Sequence, residues 1–146
     1  MKDQIERFDA AIRTLIRVFK VSEKRLPQIE GDFPRNTLDL EIVSYLDRFP
    51  ASRAKDIGEQ LSLKPTTIQS SIDRLSKRGL VLRDESSQKG RAVALSLSDE
   101  GRALLKSIRA QNYSNCVEML SVLSEAERAE FVDYMHRIAS QIDSQN

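Results

Sequence analysis

Residues 54–101 read AKDIGEQLSLKPTTIQSSIDRLSKRGLVLRDESSQKGRAVALSLSDEG, and the changes of period inside this stretch decide the fold. A short amphipathic segment, Ala54 to Gln60, carries Ile57 and Leu61 on one side. Ser52 is its expected N-cap, and the turn Leu61-Ser62-Leu63 follows. Pro65 suits the first turn of a second helix, where a missing N–H costs nothing, and Gly79 is a natural left-handed stop after Arg78. Between them Ile68, Ile72 and Leu75 form an apolar stripe, so Thr66, Gln69, Ser70, Asp73 and Arg74 project elsewhere. From Leu80 the period drops to two. Leu80–Arg83 and Ala92–Leu97 read as strands, and the polar, turn-forming run Asp84–Gly90 between them makes a two-stranded ribbon. Two helices joined by a tight turn, followed by a ribbon, describe a helix-turn-helix with a wing.

Outside this stretch helical periodicity dominates. Ile5, Phe8, Ile12, Leu15, Ile16 and Phe19 recur three or four apart before Pro27, Gly31 and Pro34 interrupt the chain. Leu38, Ile42, Tyr45, Leu46 and Phe49 mark a helix capped by Asn36 or Thr37 and stopped by Pro50. Ser98-Asp99-Glu100-Gly101 opens a long helix through Leu104, Leu105, Ile108, Val117 and Leu120. Ser124-Glu125-Ala126-Glu127 is a capping box that starts a last helix with Phe131, Met135, Ile138 and Ile142. The expected fold is mainly α: a winged helix-turn-helix with a two-stranded wing, flanked by N- and C-terminal helices. The expected division is 1–31, 32–98 and 99–146.

The 146 residues carry a net charge of +1, which hides an uneven distribution. Residues 1–50 balance, 51–91 carry +4, and 92–146 carry −3. A basic centre suits a polyanionic partner, though the bias is mild. The 40% hydrophobic and 31% charged content is that of a globular chain, with no apolar run long enough to span a bilayer. The N-terminus lacks a signal core, and a single cysteine, Cys116, excludes an internal disulfide, so a cytoplasmic location is expected. Cys116 has no adjacent Lys, Arg or His and is read as an inert core or interface thiol. His136 has no Cys or His partner at ligand spacing, so neither a metal nor a cofactor is expected. There is no nucleophile beside a base, no phosphate loop and no evident acid pair in a cleft motif, which reads as a protein that is not an enzyme.

The second helix of the motif is the natural element to enter a major groove. Thr66, Gln69 and Ser70 are expected at base edges, since Gln can pair in two-point fashion with adenine and hydroxyls can donate or accept. Pro65 is expected against a thymine methyl. Lys64, Thr67, Arg74, Lys77, Arg53 and Lys89 are expected on phosphates, and Arg91 on the wing.

The run from Asp56 to Val81, with Arg83, Arg91 and Leu95–Gly101, resembles the winged helix-turn-helix of the MarR (multiple antibiotic resistance regulator) family. The resemblance covers about 60 residues at motif level, and the order of the flanking helices extends it over nearly the whole chain. It implies a homodimer whose terminal helices intertwine and whose two winged domains bind successive major grooves of a roughly palindromic operator in double-stranded DNA. It also implies release of DNA by a small aromatic or phenolic effector, with Phe8, Ile12, Tyr45 and Tyr113 as possible lining residues beside their simpler role in packing. Two positions depart from the family. Lys89-Gly90-Arg91 stands where Asp-Arg-Arg or a close variant is usual, and Gly58 stands where Ala is usual. The rival expectation is a winged-helix protein-interaction module with weak or lost DNA binding, which the mild charge and altered wing favour.

Overall fold

The computed structural model describes residues 1–23, 37–84 and 93–144, with side chains described from residue 37 onward and for 1–18. The order of elements is α1 (Lys2–Glu23), α2 (Thr37–Arg48), α3 (Ala54–Gln60), α4 (Pro65–Lys77), β1 (Val81–Asp84), β2 (Ala94–Leu97), α5 (Asp99–Leu120) and α6 (Glu125–Asp143). The mainly α winged architecture expected from the sequence is therefore the one observed. The strands run antiparallel with Val81 opposite Leu97 and Asp84 opposite Ala94, so β1 begins one residue later than its period suggests. The expected break at Pro27, Gly31 and Pro34, and the ribbon tip, lie outside the described residues.

The chain divides into two compact units, Met1–Gln111 and Asn112–Asn146. In the first, Ile42, Val43 and Leu46 of α2, Ile57 of α3, Ile68, Ile72 and Leu75 of α4, Leu80, Val81, Leu95 and Leu97 of the ribbon, and Leu104, Leu105 and Ile108 of α5 form one buried cluster. The inward stripe of α4 read from the sequence is thus fully realised. Burying a side chain of this size contributes about 1.5–3 kcal/mol, which is what fixes α4 against its neighbours.

Local chemistry explains the joints. Ser52 does not cap α3. Its carbonyl accepts from the Leu95 N–H at 2.8 Å, and its hydroxyl donates to the Phe49 carbonyl at 2.7 Å. This bridge makes Ser52 a partner of β2, and the N-cap falls instead on Arg53, whose N–H donates to the Asp56 carboxylate at 3.0 Å. Gly79 takes φ +72°, a left-handed conformation open to glycine at little cost, and its N–H donates to the Ser76 carbonyl. Ser98 joins three elements. Its hydroxyl donates to the Gly79 carbonyl at 2.6 Å and accepts from the Gly101 N–H at 3.0 Å, while its own N–H donates to the Leu80 carbonyl at 3.1 Å. Gly101 is required by this joint, because a Cβ there would lie 2.3 Å from the Leu80 carbonyl oxygen.

In the second unit, the Ser124 hydroxyl accepts from the Glu127 N–H and the Glu127 carboxylate accepts from the Ser124 N–H at 2.8 Å, the reciprocal cap expected from the sequence. These bonds from Ser124 hold the Glu127 carboxyl below its ordinary value. Every residue of α6 is at least partly exposed, including Phe131, Tyr134, Met135, Ile138 and Ile142. Cys116 is exposed, so the core alternative for this thiol falls.

Candidate nucleic-acid interface

The outer face of α4 is built by elimination. With Ile68, Ser71, Ile72 and Leu75 buried, helical geometry turns Thr66, Thr67, Gln69, Ser70 and Asp73 outward, and all of them are exposed. Lys64 is the N-cap and Pro65 the first helical residue, as expected, and both are exposed at the end where unpaired N–H groups favour an anion. Lys77 is exposed in the last turn, and Arg53 is exposed at the start of α3. Between α3, α4 and the ribbon opens a cavity of about 230 Å3, with Arg53, Lys55, Gln69 and Arg83 among its lining residues. Short polar side chains on one ridge, with cations at its margins, form a surface that could meet base edges and phosphates.

One expected phosphate contact is redirected. The Arg74 guanidinium binds Asp39 of α2 through two bonds, Nε to Oδ2 at 2.7 Å and Nη2 to Oδ1 at 2.6 Å, and Nη2 also donates to the Ser71 hydroxyl at 3.1 Å. Asp39 is fully buried. A buried carboxylate needs a partner of opposite charge, and Arg74 supplies it with the planar fork that matches both oxygens. The same bonds hold the Arg74 guanidinium above its ordinary value. Its geometry makes it an internal strut between α2 and α4 in place of a free surface cation.

A second network lies on the surface. Gln69 Nε2 donates to Asp73 Oδ1 at 2.8 Å, and Arg83 of β1 donates to the same oxygen through Nη2 and to the Ser76 hydroxyl through Nε at 3.2 Å. The Arg83 guanidinium, followed by the Gln69 amide, holds the Asp73 carboxyl below the usual carboxylate range. In the sequence Asp73 is among the residues projecting from α4 and Arg83 lies in the ribbon, with nothing local that joins them. Spacing signals only the Gln69–Asp73 bond, since Asp73 follows Gln69 by four residues on one helical face; the Arg83 bond crosses from the ribbon.

The remaining expected residues are placed as follows. Phe8 is exposed and Ile12 half-buried on α1, Tyr45 packs against the core with its ring 5.0 Å from that of Phe49, and Tyr113 is exposed in the second unit. Lys89 and Arg91 lie outside the described residues. Among the described residues no group of three or more His, Cys, Asp or Glu could hold a metal ion. No helix among them is long and apolar enough to cross a membrane.

Residues 36–101 match the family model described as a winged helix DNA-binding domain. Among curated relatives, the chain is 27% identical over 88 residues to the HTH-type transcriptional repressor MdtR of Bacillus subtilis (strain 168), covering 60% of this chain and 57% of that protein. It is 27% identical over 130 residues to the HTH-type transcriptional regulator PecS of Dickeya dadantii (strain 3937), covering 87% of this chain and 78% of that protein. Among solved structures, Streptococcus pneumoniae FabT in complex with DNA superposes with a TM-score of 0.76 at 17% identity, covering 100% of both chains. A MarR family transcription regulator superposes with a TM-score of 0.72 at 19% identity, covering 99% of this chain and 93% of that one. The winged motif, the order of the flanking helices and these likenesses agree: residues 36–101 carry a winged helix DNA-binding domain, and the chain is similar to HTH-type transcriptional regulators and, in fold, to a MarR family regulator.

Proposed function

We propose that this regulator is a homodimeric, sequence-specific binder of double-stranded DNA in the cytoplasm, acting as a ligand-responsive repressor on a palindromic operator, with no catalytic activity of its own. The observation that carries the reading is the division of α4, whose apolar stripe is buried while Pro65, Thr66, Thr67, Gln69 and Ser70 stand in solvent. A helix locked by its inner face and free on its outer face can enter a major groove without rearrangement. Thr66, Gln69 and Ser70 read base edges, Pro65 touches a thymine methyl, and Lys64, Thr67, Lys77, Arg53 and Lys89 hold phosphates, with Arg91 on the wing. That FabT, of like fold, has been solved with DNA supports this assignment.

Dimerisation is supported by the apolar surface at both ends of the chain. Ile5, Phe8 and Ile16 of α1 are each about half exposed, as are Tyr134 and Ile142 of α6. Scattered exposed apolar residues are ordinary, but two helices that each leave a stripe of them in water mark surfaces that a second copy would cover. Phe8, Ile12, Tyr45 and Tyr113 stay the candidate contacts for an aromatic effector.

Selection of preferred duplexes from a random pool tests the reading. The protein enriches a palindrome whose half-sites lie about 34–36 Å apart, one turn of the double helix. Gln69→Ala relaxes the preference at one position per half-site, at a cost of about 1–3 kcal/mol. Lys77→Ala weakens all sequences alike and lowers the salt slope by about one unit. Failure to enrich any duplex at low salt refutes the reading and points to a protein-interaction module.

A further inference from the structure

Asp73 is out of place on a surface that meets DNA, because a carboxylate there repels phosphates. Its oxygen Oδ1 is shared by two donors, Gln69 Nε2 at 2.8 Å and Arg83 Nη2. A carboxylate only accepts hydrogen bonds, so the amide group of Gln69 must turn its nitrogen toward Asp73 and its carbonyl oxygen away. The Arg83 guanidinium, braced by its bond to Ser76, fixes the carboxylate and offsets its charge.

We propose that Asp73 is the specificity-positioning residue of this interface: it locks the amide of Gln69 in one of its two orientations, so that Gln69 reads adenine and rejects guanine. The inference rests on the reading that the outer face of α4 meets base edges. Gln69 Nε2 has two hydrogens. One goes to Asp73, which leaves an edge of one N–H and the carbonyl oxygen Oε1. Adenine offers the complement in the major groove, an N7 acceptor beside an N6 donor. Guanine offers two acceptors, N7 and O6, and the carbonyl oxygen would face one of them with no hydrogen between. A free Gln amide can rotate its nitrogen toward either acceptor. An amide held by Asp73 loses a hydrogen bond when it does so. Arg83 belongs to β1, so the ribbon takes part in base choice through the carboxylate without touching a base itself.

The test measures relative affinities of the full-length protein for the selected operator with each base pair varied in turn. Gln69→Ala first identifies the position that this side chain reads. At that position the wild type prefers adenine over guanine by about tenfold or more, the range of one good two-point contact. Asp73→Ala reduces that preference to about threefold or less and leaves preferences elsewhere unchanged. Asp73→Glu, which keeps an acceptor, restores part of it. In the Gln69→Ala background, Asp73→Ala changes nothing at that position. The side chain of Asp73 is more than half exposed, so these variants fold, and a thermal melt confirms it. An unaltered adenine preference in Asp73→Ala overturns the inference alone. A gain in affinity for every duplex alike, in both backgrounds, shows a carboxylate that merely repels DNA and also overturns it. If the wild type enriches no duplex at all, the parent reading falls first and takes this one with it.

Discussion

Replacing Arg74 by Met separates the two roles open to this side chain, internal strut and phosphate contact. The Asp39 carboxylate is fully buried with both oxygens bonded to the guanidinium, so the variant strands a charge in the core. Removing one partner of a buried pair costs about 3–5 kcal/mol. That is the loss expected for Arg74→Met. Asp39→Leu is cheaper, about 1–2 kcal/mol, because the Arg74 side chain is 35% exposed and can turn to water. Asp39→Leu with Arg74→Met replaces the pair by apolar groups and lies within about 1 kcal/mol of the wild type.

Urea unfolding followed by circular dichroism, at one fixed protein concentration, measures all four proteins. A loss below about 1 kcal/mol for Arg74→Met, or a double variant as unstable as the two losses added, refutes the strut. In DNA binding the double variant keeps the wild-type salt slope. A slope lower by one unit would return Arg74 to the phosphate contacts.

Gly58→Ala raises stability by about 0.5–1 kcal/mol, because a Cβ there meets the Leu63 carbonyl oxygen at 3.4 Å and Ile68 Cγ1 at 3.6 Å, ordinary contacts, and helix propensity improves; a lower melting temperature would contradict this. Gly101→Ala loses about 3 kcal/mol or more, since its Cβ would press on the backbone of Leu80 at 2.3 Å. A melt within two or three degrees of the wild type, about the size of a 0.5 kcal/mol change, would show that this joint yields. The Asp73 carboxyl lies below its ordinary value, so its pairing with Arg83 and Gln69 persists at neutral pH and dissolves only as pH falls through that lowered value. The side-chain amide signals of Gln69 therefore move only below about pH 4, and a midpoint above pH 5 refutes the pairing.

The fold was legible because each element announces itself in one local pattern. The stripe Ile68-Ile72-Leu75 gave the inner face of α4, Pro65 and Gly79 its ends, and the capping box at Ser124 the start of α6. What was not legible depended on contacts distant in the chain. Ser52 reads as a helix cap until β2 arrives from position 95 to claim its carbonyl. Arg74 reads as a surface cation until Asp39, 35 residues earlier, is seen beneath it. A hint existed there, because Asp39 shares a helical face with Ile42, Val43 and Leu46, and an acid at a core position demands a cation. The outward residues of α4 followed from its inward ones by geometry alone. The link between Arg83 and Asp73 did not, since it needs the register of the ribbon against the helix.

The hydroxyl of Ser98 touches the exit of α4 and the first turn of α5 at once. The end of α4, the base of the ribbon and the start of α5 are thereby welded at a single point, with Gly101 set close against Leu80. A substitution that softened this weld would let α4 drift against the start of α5 while the outward side chains of α4 kept their arrangement on the helix.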